Sequence, residues 1–299
     1  MIYQFKQTIK NLLGGIIRDE TTRVVNHFVD VALKSSAQIQ IQQKQLFACY
    51  QDLANTEPFI NVRDLGFRVF SQFDEDGILL YIFSVIGMKC KTFVDIGSSD
   101  GINSNCANFA INFGWDGLFI DGSEYSLEKG RKFYNDHPNT WIYPPKFISA
   151  MVKRDNINDI IKEAGFEGDI DLLSIDIDGN DYWVWDALEI VQPRVVIIET
   201  HVEFGKKSIV VPYDPDYCYP GKHEHYHGAS PSAMIKLAKK KGYRLVATNQ
   251  YGFNTIYVKK QLGKKQLPTI GVDEVLKHPR NIERQKLFKE VKDYKYLKV

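Results

Sequence analysis

The most constraining stretch of this chain is Thr92-Phe93-Val94-Asp95-Ile96-Gly97-Ser98-Ser99-Asp100-Gly101. Its first half is apolar and β-branched, and its second half is a glycine-punctuated turn. Beyond it Ile102, Cys106, Phe109, Ala110 and Phe113 recur at helical intervals. The order is strand, tight loop, helix. In open parallel sheets a ligand sits outside the carboxyl ends of the strands, and glycine in the first such loop lets backbone approach it closely. The spacing Asp-x-Gly-x-x-x-Gly has one glycine fewer than the dinucleotide fingerprint: counted from Gly97, its second and third places hold Ser99 and Ile102. That points away from a pyrophosphate ligand and from a nicotinamide oxidoreductase.

Four further readings extend the pattern. Gly117-Leu118-Phe119-Ile120-Asp121 is a second strand ending in an acid, the position from which a carboxylate holds a ribose diol. Phe147-Ile148-Ser149-Ala150-Met151-Val152 reads as a third strand, and Asn156 opens a short helix capped by itself or by Asp155. Leu172-Leu173-Ser174-Ile175-Asp176-Ile177-Asp178-Gly179 is apolar without alternation, as in a strand buried on both faces. Its tip carries Asp176, Asp178 and Asp181, with Asp181 expected to cap a helix starting at Tyr182. Clustered carboxylates repel unless a cation, donors or solvent relieve them. Arg194-Val195-Val196-Ile197-Ile198-Glu199-Thr200-His201 is the fifth strand. Asp95, Asp121, Asp176 and Glu199 therefore stand at four strand ends along one sheet edge, a pattern that argues for a functional rim.

Residues 202–228 form a long insertion, and its Tyr219-Pro220-Gly221-Lys222-His223-Glu224-His225-Tyr226-His227-Gly228 is unusual. Such loops are commonly lids or binding loops. Three readings stay open: a metal site on alternate positions, an acceptor loop with one histidine as proton acceptor, and an exposed polar tip. A helix from Ala233, capped by Ser230 or Ser232, ends at Gly242, and two strands (243–247 and 254–258) close the pattern. Upstream, Ser71-Gln72-Phe73-Asp74-Glu75-Asp76 opens a helix that runs to Ile86, with Ser71 as cap and acids in its first turn. The fold class predicted is α/β: a Rossmann-like, seven-stranded, mostly parallel sheet with helices on both faces and an N-terminal helical extension.

In its 94–101 motif, in Asp121 and in the 173–181 stretch, the sequence resembles the class I, Rossmann-like S-adenosylmethionine-dependent methyltransferases, and more narrowly their FkbM-like group, over roughly residues 70–260. The resemblance implies S-adenosylmethionine as cofactor. It places Gly97, Ser98 and Gly101 near the methionine end, Asp95 near the amino group, Asp121 and Gly122 at the ribose, and Ser149 and Ala150 (with Met151) against adenine. Asp176 faces the transferring methyl group, and Asp178, His201 and His225 are candidate proton acceptors. In resembling sequences a segment like Ser71 to Asp76 borders the pocket, which implies a site role for Gln72 or Asp76. Mg²⁺ held by Asp176, Asp178 and Glu199 is a further implication, since hard oxygen ligands suit that ion. The activity implied is O-methylation of a sugar hydroxyl on a glycan or nucleotide-linked sugar. A non-catalytic nucleotide-binding or interaction scaffold, or a methyltransferase acting on a protein, RNA or other small molecule, are the alternatives.

Composition sets the outer bounds. A length of 299 residues, 44% hydrophobic and 25% charged, suits one large α/β domain with extensions: 1–56 helical, 57–260 the methyltransferase-like domain, 261–299 basic and helical. A net charge of +1 gives no reason to expect nucleic acid, although residues 259–299 hold 12 Lys or Arg against 5 Asp or Glu. Cys49, Cys90, Cys106 and Cys218 show no paired spacing, the pattern of reduced thiols in a cytoplasmic protein. No apolar run is long enough to span a bilayer, and peripheral membrane contact is left open. Apolar helical faces at residues 2–13 and from residue 22 predict homo-oligomerisation through the N-terminal helices.

Overall fold

The computed structural model describes residues 37–56 and 60–299, and residues 44–299 form one compact unit. The expected helices within residues 1–36, and the oligomer interface assigned to them, lie outside the described residues. Helix α1 (Ala37–Thr56) realises the end of the predicted N-terminal extension, whereas α2 (Glu75–Ile86) begins later than Ser71 as its cap would place it: Asp74 holds the N-cap position, and Ser71 Oγ accepts from Asp76 N at 3.2 Å. Among the described residues no helix is long and apolar enough to cross a membrane.

The strands are β1 (Thr92–Ile96), β2 (Asp116–Asp121), β3 (Lys146–Ser149), β4 (Gly168–Ile175), β5 (Val191–Glu199), β6 (Ile209–Val210), β7 (Tyr243–Thr248) and β8 (Asn254–Lys259). Seven of them form one sheet in the order β3-β2-β1-β4-β5-β8-β7. The first five pair in parallel, and β8 runs antiparallel to both β5 and β7. Helices α3 (Ala107–Phe113), α4 (Glu124–Asp136), α5 (Ile157–Glu163), α6 (Asp181–Ala187) and α7 (Pro231–Lys240) connect them.

The two-residue period of the strands decides which face each helix covers. Val94, Ile96, Leu118, Ile120, Leu173, Ile175, Val196 and Ile198 share one core with Ile157 and Ile161 of α5, Trp185 of α6 and Leu237 of α7. Their alternates face the other way. There Phe93 meets Phe119 at 5.0 Å between ring centroids, Phe119 meets Tyr134 of α4 at 5.5 Å, and Phe83 of α2 meets Phe109 of α3 at 5.1 Å. Both faces are thus covered, which is why β4 and β5 read as unbroken apolar runs.

One charged pair interrupts this pattern at the edge away from the glycine loop. Asp171 is fully buried, and its Oδ2 accepts from the backbone N–H groups of Lys89, Cys90 and Lys91 at 2.9, 2.8 and 2.7 Å. Its Oδ1 accepts from Arg194 Nη1 at 2.7 Å, and that guanidinium also donates to the carbonyls of Ile86 and Gly87 at 2.6 Å each. Every group in the network has a partner, which is the condition for a buried ion pair to be tolerated. The network ties the α2–β1 turn to β4 and β5, and so fixes where β1 delivers its loop.

Some local expectations change. The third strand stops at Ser149, and α5 has no side-chain cap bond, because Asn156 Oδ1 instead accepts from Lys153 N at 2.7 Å. Helix α6 begins at Asp181 itself, whose carboxylate turns back to accept from Ile177 N (2.8 Å) and Gly179 N (3.0 Å). Ser230, of the two candidates, caps α7 by accepting from Ala233 N. Residues 261–299 contain three short helices, α8 (Val272–Val275), α9 (Arg280–Lys286) and α10 (Phe288–Val291), and then strand β9 (Leu297–Lys298), which pairs antiparallel with β6.

Candidate active site at the carboxyl edge of the sheet

The loop after β1 is held by its own backbone. Gly97 N and Ser98 N both donate to Ile120 O, at 2.8 and 3.1 Å, and Gly101 N donates to Ser98 O at 2.8 Å. Gly97 has φ +80°, and a Cβ there would stand 1.7 Å from the Asp176 carbonyl oxygen, so no other residue fits. The close approach is what allows Asp176 N to donate to Ile96 O at 2.9 Å, locking the β1 and β4 tips together. Ser99, at φ +52°, donates its N–H to Asp121 Oδ2 at 2.8 Å, while Asp121 Oδ1 accepts from Ser123 N at 2.8 Å.

The predicted cofactor residues fall into three places. Gly97, Ser98 and Ser99 line a cavity of about 690 Å³ together with Asp176, Asp178 and Glu199. Asp121, Gly122, Ser149 and Ala150 stand together on the far side of Ser99: Asp121 pairs with Ser149 in register, and Ala150 N donates to Asp121 O at 2.9 Å. Met151 lies over Gly122, with its sulfur 2.5 Å from where a Cβ would be. Asp95 sits beneath the loop, buried, accepting from Ser104 Oγ at 2.5 Å. Burial pushes its carboxyl up to about 6, and the Asp121 charge adds to this. Gly101, at φ +66°, closes the loop under Tyr134, whose hydroxyl donates to Gly101 O at 2.7 Å.

At the β4 and β5 tips the acids converge. One oxygen each of Asp176, Asp178 and Glu199 lies within 4.8 Å of the others, an arrangement that the sequence left undetermined. Burial, then the charges of Glu199, Asp181 and Asp178, hold the Asp176 carboxyl well above the usual range. Asp178, at φ +56°, is raised by partial burial and by Glu199, and Asp181 is pushed up to about 6 chiefly by burial. Glu199 goes the other way: burial works against its charge, yet the neighbouring His201 brings it below the ordinary value. His201 in turn is raised, the carboxylates of Glu199 and Glu203 outweighing its burial.

His201 and His225 both line the cavity, together with a histidine, His227, that sequence spacing did not single out. His227 is buried, and its ring centroid is 4.0 Å from that of His201. Burial, and then the nearby His201, lower it to about 4, so it is neutral near neutral pH. His225 is half-buried, and His223 points to Glu290 of α10, 3.6 Å away. The metal-site reading of the loop therefore transfers from its three histidines as a set to His227 alone.

The cavity has two more walls. Gln72 and Phe73 border it from the segment before α2, because Glu75 accepts from Asn249 and Asn254 at 2.9 and 2.8 Å and pins that segment to β8. Asp76 is fully buried and takes no place in the wall; its Oδ2 accepts from the N–H groups of Val69, Phe70 and Ser71. Arg284 of α9 reaches in from the C-terminal segment, donating from Nε to Glu203 Oε1 at 2.8 Å with its guanidinium carbon 4.7 Å from the Phe253 ring centroid.

Chemically, this is a cation-seeking cavity. Five carboxylates line it (Asp176, Asp178, Glu199, Glu203 and Glu224), with Arg284 as the one Lys or Arg among the described lining residues. Such a wall suits a ligand carrying positive charge and disfavours a pyrophosphate.

No family model matches the sequence, and no curated protein matches it. Among solved structures, the chain is similar to magnesium protoporphyrin IX methyltransferase from Synechocystis PCC 6803 with bound SAM: 12% identity, TM-score 0.38, covering 62% of this chain and 78% of the other. A S-adenosylmethionine-dependent methyltransferase from Clostridium acetobutylicum gives 10% identity and a TM-score of 0.39 over 62% of this chain and 90% of that one. An O-methyltransferase family protein from Burkholderia thailandensis gives 12% identity and a TM-score of 0.37 over 62% and 57%. The sheet itself is Rossmann-like: five parallel strands closed by the antiparallel pair β8 and β7.

Proposed function

We propose that this protein is a S-adenosylmethionine-dependent methyltransferase of the FkbM-like kind. The observation that carries the reading is the acid-lined cavity abutting the Gly97 loop at the carboxyl edge of the sheet. A sulfonium and an ammonium group suit carboxylate walls, whereas a dinucleotide needs a fuller glycine nest and cations. The methionine end would lie against Gly97, Ser98 and Ser99, the ribose at Asp121, and the adenine over Ala150 and Met151. Asp95, a neutral brace under the loop at low pH, would act on the amino group through the loop it supports. This chain's own residues then align the acceptor and take its proton, which is what in-line methyl transfer demands of a protein. Asp178, His201 and His225 stand at the cavity for that role.

For the acceptor we favour a sugar hydroxyl, giving O-methylation of a glycan or a nucleotide-linked sugar. Support comes from the aromatic rim: Tyr219 lines the cavity, and Tyr217 packs parallel to His227 at 6.3 Å. The converging oxygens of Asp176, Asp178 and Glu199 fit Mg²⁺, which would supply a bidentate hold on two acceptor hydroxyls. The four unpaired cysteines suit a reducing, cytoplasmic setting.

Calorimetric titration with S-adenosylhomocysteine tests the cofactor, and transfer of a labelled methyl group to a panel of sugar nucleotides and glycans tests the acceptor. Saturable 1:1 binding supports the reading. Absence of binding by folded protein would replace it with the scaffold alternative.

A further inference from the structure

Three side-chain atoms in the cavity wall are buried with no hydrogen-bond partner: Glu199 Oε2, His201 Nε2 and His227 Nδ1. An unpaired buried polar atom costs free energy, so three facing one another call for something between them. One ligand atom from each of these three residues lies within 4.8 Å of those of the other two. The Glu199 Oε2 to His201 Nε2 distance is 3.6 Å, beyond hydrogen-bond range. Two ligands about 2.0–2.1 Å from a tetrahedral ion stand about 3.4 Å apart, so the gap has the length of a coordination edge.

The geometry points to a transition-metal site: Glu199, His201 and His227 together bind one borderline divalent cation of the Zn²⁺ class, distinct in ligand chemistry from the all-oxygen Mg²⁺ set.

The local structure prepares each ligand. His227 Nε2 is 2.9 Å from Glu224 O, an acceptor only, so the ring proton sits on Nε2 and Nδ1 keeps its lone pair. His201 turns Nδ1 toward Glu203 Oε2, 3.9 Å away, and Glu203 is itself held by Arg284, so a fixed negative charge stands beside the ring on the side away from Nε2. Strand β5 ends at Glu199, and His201, two residues on, keeps extended backbone angles (φ −97°, ψ 100°) that bring its ring beside the Glu199 carboxylate. Gly228, at φ +67°, leaves the room: a Cβ there would be 2.5 Å from His201 Nε2 and 2.2 Å from its Cδ2. Imidazole nitrogens select Zn²⁺, Co²⁺ or Fe²⁺ over Mg²⁺. Three protein ligands leave a fourth position open to the cavity for water or an acceptor oxygen. The metal site stands on this geometry; any use of that open position in methyl transfer rests on the proposed function, and with His201 Nε2 on the metal the proton-acceptor role falls to Asp178 or His225.

The test uses the full chain, stripped with chelator and titrated with Zn²⁺ by calorimetry and with Co²⁺ by visible absorption. One equivalent should bind, with intense Co²⁺ bands of low coordination number, and excess Mg²⁺ should fail to compete. His227→Ala and His201→Ala should each weaken Zn²⁺ binding by at least about 100-fold, and Glu203→Gln, which removes a charge near the ring and not a ligand, by a smaller factor. His223→Ala should leave the affinity unchanged. X-ray absorption on the Zn²⁺-loaded wild type needs no variant and should show two imidazole nitrogens at about 2.0–2.1 Å. A shell of oxygens alone, unchanged affinity in folded His227→Ala, or loss in His223→Ala would overturn the assignment. S-Adenosylhomocysteine titration of the same samples reports separately on the methyltransferase reading.

Discussion

Replacing Asp121 by alanine should weaken S-adenosylhomocysteine binding by an amount the structure lets one work out. A carboxylate has about four acceptor sites on two oxygens. Ser99 N takes one on Oδ2 and Ser123 N one on Oδ1, both at 2.8 Å, which leaves one on each oxygen for a ribose diol. Two hydrogen bonds to a charged group are worth about 3–6 kcal/mol at face value. Asp121 is half-buried, and water competes for it, so about 2–4 kcal/mol is expected, or roughly 30- to 700-fold in Kd. The substitution also frees Ser99, whose positive φ depends on that brace. The 2′-deoxy analogue of S-adenosylhomocysteine separates the two effects. Wild type should discriminate against it by about tenfold or more, a fair measure of one lost bond, and Asp121→Ala should not discriminate. Calorimetry on protein with native-like circular dichroism is the assay. Equal discrimination by both proteins would refute the ribose role and leave Asp121 as a loop brace.

Gly97→Ala should abolish cofactor binding and lower stability by several kcal/mol, because its Cβ would overlap the Asp176 carbonyl at a φ of +80°; thermal melts and the same titration would show it, and a near-native melt would refute the contact. Asp171→Ala should cost about 3–5 kcal/mol in urea unfolding by stranding the buried Arg194 guanidinium, and a loss under 1 kcal/mol would contradict the network. Asp95 gives a pH prediction: its folded value of about 6 exceeds the ordinary 3.8, so the folded state holds the proton longer, and that contribution to stability is lost as pH rises from about 4 through 6. The loss is at most about 3 kcal/mol, and Asp95→Asn should flatten the curve over that window and be the more stable protein at pH 8. Parallel urea stability curves for the two proteins would exclude a raised Asp95. Arg284→Ala should lower Zn²⁺ affinity without changing S-adenosylhomocysteine affinity, since it touches Glu203 and not the glycine loop.

What the sequence displayed, it displayed through periodicity. Strands buried on both faces must be apolar throughout, so the acids that end them stood out, and Gly97 and Asp121 were legible because backbone geometry demands particular residues there. Glu199 and His201 stand two residues apart, a spacing the sequence also carries. The rest of the site depends on contacts between distant positions. Arg284 meets Glu203 across 81 residues, and Asp171 meets Arg194 across two strands. Such pairs have no spacing to detect. His227 hid for another reason: three histidines at alternate positions invited treatment as one group, whereas His225 and His227 line the cavity and only His227, beside the turn where Gly228 N donates to Gly179 O at 3.0 Å, stands with Glu199 and His201. Asp181 looked like a helix cap and serves as the brace of the turn before it.

The β6–β9 pairing has a temporal side. Ile209 pairs with Lys298, so the loop bearing the histidines is stapled by residues made long after it. The edge formed by β1, β2 and β3 is complete by Ser149, well before that. During synthesis the half of the site assigned to the cofactor therefore organises early from near-neighbour contacts, while the half assigned to the acceptor waits for a closure spanning almost ninety residues. A nascent chain would hold the β1–β3 edge with an unfinished wall on the side of the histidine-bearing loop.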